Sequence, residues 1–249
     1  VKWLAAAALL ALAIWEIATL LHVHAAAPAD ADWDAAAAFV RAGFAPGDLV
    51  VFAPEWSDPV GRLHLGDLLT IHDAARMDAA RYGRIWEVSQ RGATAADADG
   101  PVGLEREFGA LRVRRHDHSA ARVTWDLRDR AKLLEVGYAP RECVEVRAPS
   151  TLDVGSVPLA SRLVVRAGLA DFRARRDNRA TALVRVLVDG AEAASAEIGS
   201  ESGWVALPPI ATTPGAHRVA FETRIAGGGQ PAILPACIAA EARDEAPPP

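Results

Sequence analysis

Residues 181–188 (TALVRVLV), Asp189-Gly190 and residues 191–198 (AEAASAEI) decide how this chain is read. The first run is strand-like, and Asp-Gly is among the strongest two-residue hairpin signals, because a tight hairpin turn needs positive φ at its centre. Working outward, similar short runs recur with turns between them. They are 143–147 (CVEVR), 162–167 (RLVVRA), 203–207 (GWVAL), 216–225 (AHRVAFETRI) and 233–242. About seven strands in roughly 100 residues predict an antiparallel β-sandwich, jelly-roll-like, over 140–243, with 244–249 as a frayed tail.

Upstream of residue 138 the texture changes. Asp32 or Asp34 can cap a helix whose apolar stripe includes Trp33, Phe39 and Val40 and which stops at Gly43. A turn at 46–48 leads into LVVFA (49–53), a continuous apolar run of the kind buried on both faces of a sheet. A second helix is expected over 72–82, then an alternating strand over 84–89 (RIWEVS), a helical turn over 104–108, and strands over 111–115 and 122–127. Helix and strand in alternation predict a small α/β domain over 30–138, so the fold class is α+β overall.

Residues 3–21 carry one charge, Glu16, and as a helix would span about 28 Å, close to the thickness of a bilayer core. Lys2 precedes them, so residues 1–25 read as a transmembrane anchor with a cytoplasmic N-terminus, or alternatively as a signal segment cleaved after Ala25. Either expectation puts the remainder outside the cytoplasm, periplasmic at a bacterial inner membrane or secreted. In that compartment the two cysteines, Cys143 and Cys237, can form one disulfide or remain two buried thiols.

Composition narrows the partners. The 249 residues carry a net charge of −5, which argues against a general nucleic-acid binder. Of the 51% hydrophobic residues, 54 positions are Ala, and 25 of the 27 cations are Arg, so Ala runs and Arg clusters carry less information than usual. Two cysteines cannot build a disulfide scaffold or a four-cysteine zinc site. No nucleophile elbow, P-loop, dinucleotide fingerprint or HExxH occurs, and no cofactor or metal is expected.

Two resemblances add to this reading. Asp32-Trp33, residues 46–51 (PGDLVV), 82–86 (YGRIW) and 107–113 (EFGALRV) make the first half similar to the extracytoplasmic region of bacterial polytopic glycosyltransferases that use lipid-phosphate sugars. The catalytic carboxylate of that family lies in a loop between membrane helices that has no counterpart here. The resemblance therefore implies an accessory or sensing domain, or a fragment, beside a membrane glycosyltransferase. In the second half, residues 183–190 (LVRVLVDG), Gly203-Trp204 and 214–219 (PGAHRV) resemble galactose-binding-like jelly rolls, a fold used by many carbohydrate-binding modules.

The most site-like stretch is 54–67 (PEWSDPVGRLHLGD), directly after the apolar strand. Ligands in open α/β sheets bind beyond the carboxyl ends of strands. Glu55, Trp56, Asp58, Arg62, His64 and Asp67 offer an aromatic platform with carboxylates, a guanidinium and an imidazole, a set suited to a sugar or a phosphorylated headgroup. Glu55 and Asp58 as an acid–base pair would make the same stretch a hydrolase. Arg175 and Arg176 in a sandwich loop suit an acidic glycan, and Trp204 suits stacking on a sugar. His116 and His118 have metal-ligand spacing, but a polar turn between strands accounts for them more simply. The expectation is non-catalytic binding of a glycan or lipid-linked sugar in the cell envelope.

Overall fold

Asp189 and Gly190 both take left-handed φ, 52° and 83°, and the strands they join pair from Val188↔Ala191 to Ala182↔Ile198. The structure, a computed structural model, describes residues 2–25, 27–170, 181–226 and 234–244. It divides into two units, one formed by residues 1–68 and 84–117, the other by 69–83 and 118–249.

In the second unit the hairpin strands β10 (Thr181–Val188) and β11 (Ala191–Ile198) join β14 (Gly215–Ala226) and β8 (Ser150–Leu159) in the order β11-β10-β14-β8. A second sheet holds β12 (Val205–Ala206), β9 (Arg162–Leu169), β15 (Leu234–Asp244), β7 (Ala139–Ala148) and β6 (Lys132–Val136) in that order. To it are added β13 (Ile210–Ala211) on β9 and β5 (Arg122–Asp126) on β15. The inward rows Val184, Val186, Val219 and Phe221 of one sheet meet Leu163, Val165, Ile238 and Ala240 of the other in one core. This is a β-sandwich, built by strand alternation that puts every second side chain in the core.

β15 is the middle strand of its sheet, with β9 on one side and β7 on the other. Cys237 of β15 stands opposite Glu145, and Cys143 lies two residues back along β7, diagonal to it on the same face. The two are joined in a disulfide, with their Cα atoms 5.4 Å apart. They face away from the sandwich core, in a small second cluster with Met77, Val136, Ala170 and Ala239.

That outer face is covered by the strap formed by residues 69–83. A helix was expected over 72–82, but only α4 (Ile71–Ala74) forms, capped by reciprocal hydrogen bonds between Thr70 and Asp73. The reason lies in the next carbonyls. Ala75 O accepts from Glu142 N at 2.9 Å, Arg76 O from Arg141 Nη1 at 3.1 Å, and Met77 O from Trp204 Nε1 at 3.1 Å. These groups bind the sheet in place of a helical turn. Residues 69–83 and 118–138 therefore belong with the sandwich and not with the α/β domain expected over 30–138.

The first unit carries α2 (Asp30–Gly43), β1 (Asp48–Ala53), α3 (Asp58–Leu65), β2 (Arg84–Gln90), β3 (Val102–Phe108) and β4 (Leu111–Asp117). Its sheet runs β1-β2-β4-β3, with β1 and β2 parallel and the rest antiparallel. The stripe Trp33, Ala36, Ala37 and Val40 of α2 is buried, as its i, i+3, i+4, i+7 spacing requires. Asp32 accepts from Ala29 N at 3.0 Å and so works from inside the first turn, not as the cap itself. Residues 104–108, expected as a helical turn, are strand. Gly109, at φ 55°, opens a two-residue hairpin that pairs Phe108 with Leu111.

Residues Lys2–Ala25 form the helix α1, and each of its described side chains is exposed. Among the described residues, however, no helix is long and apolar enough to cross a membrane. The helix carries Glu16 within its apolar run.

Candidate functional site

The stretch 54–67 is not an open loop. After β1 the chain makes a single 3-10 turn (Glu55–Ser57), where Ser57 Oγ donates to Pro54 O at 2.7 Å, and then enters α3. Ser57, Gly61 and Leu65 form the buried row of that helix. Gly61 is needed there because a Cβ would enter the Phe52 ring of β1. Turning this row inward forces positions 56, 60 and 63 outward. Trp56, Val60 and Leu63 are 59%, 40% and 82% exposed.

The six residues singled out in this stretch divide into two groups. His64 and Asp67 are structural. The His64 ring stacks on Trp33 with centroids 5.7 Å apart, and its Nδ1 meets Asp34 Oδ1 at 3.0 Å. Asp67 receives two hydrogen bonds from Arg41, at 3.0 and 2.6 Å, and Arg41 also donates to His64 O at 2.5 Å. Those hydrogen bonds hold the Asp67 carboxyl below the usual carboxylate range. Both residues tie α3 to α2.

Trp56, Asp58 and Arg62 remain on the outer side, with Glu55 exposed beside them. Arg62 grips Asp58 one turn away through bonds of 2.6 and 3.2 Å, which fixes a carboxylate and a guanidinium in a half-exposed row. The Trp56 indole carries the Arg91 guanidinium at 5.6 Å from its centroid. Arg91 follows the last residue of β2, so this pair stands at the carboxyl ends of the two parallel strands. Arg91 was missed in the sequence. Val60 and Leu63 were missed as well, and their i+4, i+7 spacing from Trp56 is the signal that would have found them.

Trp204 lies elsewhere. Its ring is half-buried against the disulfide cluster, with its N–H bound to Met77 O and Arg141 5.6 Å from the centroid, so it is a packing residue and not a stacking platform. Arg175 and Arg176 lie outside the described residues. Glu87, a polar residue inside β2, is fully buried on the face opposite Trp86. It accepts from Ala95 N at 2.6 Å and pairs with Arg114 at 3.0 Å and His116 at 3.3 Å, so it holds the 91–101 loop against the sheet.

No family model matches this sequence, and no curated protein matches it. Among solved structures it is similar to carbohydrate-binding modules. One is a structure of CBM51-2, in complex with GlcNAc, and INT domains of Clostridium perfringens ZmpB, at 9% identity and TM-score 0.35, covering 64% of this chain and 41% of that one. Another is the C-terminal CBM6 of LamC, a laminarinase from Zobellia galactanivorans, at 8% identity and TM-score 0.28, covering 48% and 92%. The chain thus spans about two fifths of the ZmpB structure. Nothing in these comparisons supports the expected likeness of the first half to polytopic glycosyltransferases.

Proposed function

We propose that this protein is a non-catalytic glycan-binding protein, with Trp56 as its stacking platform. The observation that carries this reading is the exposed indole of Trp56 at the carboxyl ends of β1 and β2, beside the fixed Asp58–Arg62 pair. An indole offers a flat apolar surface to the C–H face of a sugar ring, and neighbouring charged groups exchange hydrogen bonds with its hydroxyls. Because Asp58 is committed to Arg62, the row suits binding and orientation and disfavours acid–base hydrolysis by Glu55 and Asp58. The Cys143–Cys237 bond supports a setting outside the cytoplasm, periplasmic or secreted.

A glycan array probed with the full chain tests this reading. Binding to one glycan class, lost in Trp56→Ala with the unfolding midpoint unchanged, is the expected result. Absence of binding to every glycan, or equal binding by the variant, rejects it. A second reading is favoured by Leu63. The Trp56–Val60–Leu63 row is apolar along its length, as an element lying on a lipid surface would be. Flotation with anionic vesicles separates the two readings, since Leu63→Ser abolishes lipid association and leaves sugar stacking intact.

A further inference from the structure

Arg91 stands at φ 55° and Gly92 at φ 72°, and Ala93 N donates to Gln90 O at 3.1 Å, so both central residues of the tight turn at the end of β2 are left-handed. Gly, Asn or Asp takes such a backbone at little cost, whereas a long side chain is strained there. Arg91 is exposed. Among the described residues it meets no carboxylate, and its guanidinium lies instead over the Trp56 indole, 5.6 Å from the ring centroid. On β2 and its neighbour β4, by contrast, every arginine has a carboxylate, Arg84 with Asp48 at 2.7 Å and Arg114 with Glu87 at 3.0 Å among them. A strained residue that brings the fold neither burial nor an ion pair points to a ligand.

The charges around the indole set the chemistry of that ligand. Asp58 and Arg62 neutralise each other through their two hydrogen bonds. Arg91 is left as a single free guanidinium, a planar fork that matches a carboxylate. Glu55, next to Trp56 in the chain and exposed, accepts from neutral hydroxyls and opposes a second negative charge. One carboxylate on an otherwise hydroxylated ring fits this set, and a dianionic phosphate fits it less well.

We propose that the Trp56 platform selects uronic acids and that Arg91 makes the selection, which rests on the glycan-binding reading of Trp56. In the free protein the guanidinium lies over the indole, and a sugar ring that stacks there displaces it. A uronate compensates the displacement, because its carboxylate receives the guanidinium as a bidentate pair. A neutral sugar does not, and the lost cation–π contact weakens it roughly two- to fivefold at an exposed site.

Calorimetric titration of the full chain with three matched pairs tests this: the methyl glycosides of glucose, galactose and mannose, and those of the corresponding uronic acids. At least one uronate is expected to bind tighter than its neutral partner by about tenfold or more, with the difference shrinking as salt rises. Asn suits the left-handed turn, so Arg91→Asn should keep the unfolding midpoint. It should weaken the uronate by about tenfold or more and strengthen the neutral sugar roughly two- to fivefold. Equal binding of uronate and neutral sugar, or a uronate preference that survives Arg91→Asn, overturns the proposal and leaves Trp56 as a glycan platform. No binding of either kind overturns both. Arg91-dependent flotation with phosphatidylglycerol vesicles, without uronate binding, assigns the guanidinium to a lipid headgroup and also overturns it.

Discussion

Asp78 and Arg243 lie 165 residues apart in the chain and meet through two hydrogen bonds, of 2.8 and 3.1 Å. Arg243 is nearly fully buried on the outer face of β15, and it also grips Glu241, which Arg81 of the same strap binds in turn. The strap is therefore fastened by an ion network at its centre, not by helical structure of its own.

Removing one partner of a buried pair leaves the other charge without compensation. Asp78→Asn is expected to cost about 3–5 kcal/mol. Urea unfolding followed by far-UV circular dichroism measures it, and amide exchange in 69–83 should quicken before the sandwich opens. The pH dependence has a definite sign. Burial raises the Asp78 carboxyl, but the hydrogen bonds and charge of Arg243 outweigh it and the net shift is downward. A carboxyl depressed in the folded state stabilises above its ordinary value and loses that contribution as pH falls through the folded value. The wild type should thus lose its strap in acid below about pH 4, and the variant should show a smaller acid-induced loss.

The sandwich was legible where local chemistry and tertiary pairing agree. Asp189-Gly190 and the apolar runs around it required nothing from distant residues. β8 was invisible because Pro149, Gly155 and Pro158 give it the composition of a turn. In place, Gly155 sits at φ 88° where the register against β14 shifts, a bulge that needs this glycine. The strap read as a helix because its spacing is helical, and only the sheet across from it explains why its carbonyls bond elsewhere. Of the candidate site, Trp56 was legible from its residue type. Arg91 was not, because its role comes from its place at the end of β2, beside Trp56, which the sequence does not display.

Gly61 is expected to resist substitution. A methyl group at this position enters the Phe52 ring, and both α3 and β1 would have to move apart. Overpacking of this kind costs about 1–3 kcal/mol, while replacing a helical glycine with alanine returns roughly 1 kcal/mol. With the Cβ 2.1 Å from the ring the upper end of that cost applies, and a net loss of about 2 kcal/mol should appear in thermal unfolding of Gly61→Ala. An unchanged midpoint would mean that α3 does not rest on Phe52.

The disulfide closes a separation of 94 residues between two strands that are already neighbours. In the chain-entropy account, releasing it frees the unfolded chain and costs about 4–5 kcal/mol. The double variant Cys143→Ala, Cys237→Ala should show this loss in chemical denaturation. Both sulfurs are buried, so reductant added to the native protein should act slowly and only through opening of the strap or the sheet.

The Asp189-Gly190 hairpin turn is held from outside by a histidine. His217 Nδ1 meets Asp189 Oδ2 at 2.7 Å, and its Nε2 meets the carbonyl of Thr213 at 2.9 Å. The doubly protonated ring donates to both of these acceptors, whereas the neutral ring keeps Asp189 and takes a donor from the Thr213 hydroxyl, 3.3 Å from Nε2. The hydrogen bond to Asp189, then that to Thr213 and the Asp189 charge, lift the imidazole above its ordinary value against a smaller lowering by burial. A raised histidine stabilises fully below about pH 6.5 and loses that contribution as pH climbs through the folded value. NMR titration of the ring protons should therefore place His217 above 6.5, and Asp189→Asn should bring it back down. A value at or below 6.5 in the wild type would show that the turn is held by its backbone alone, through Asp189 Oδ1 and Arg218 N, and that the imidazole is a bystander.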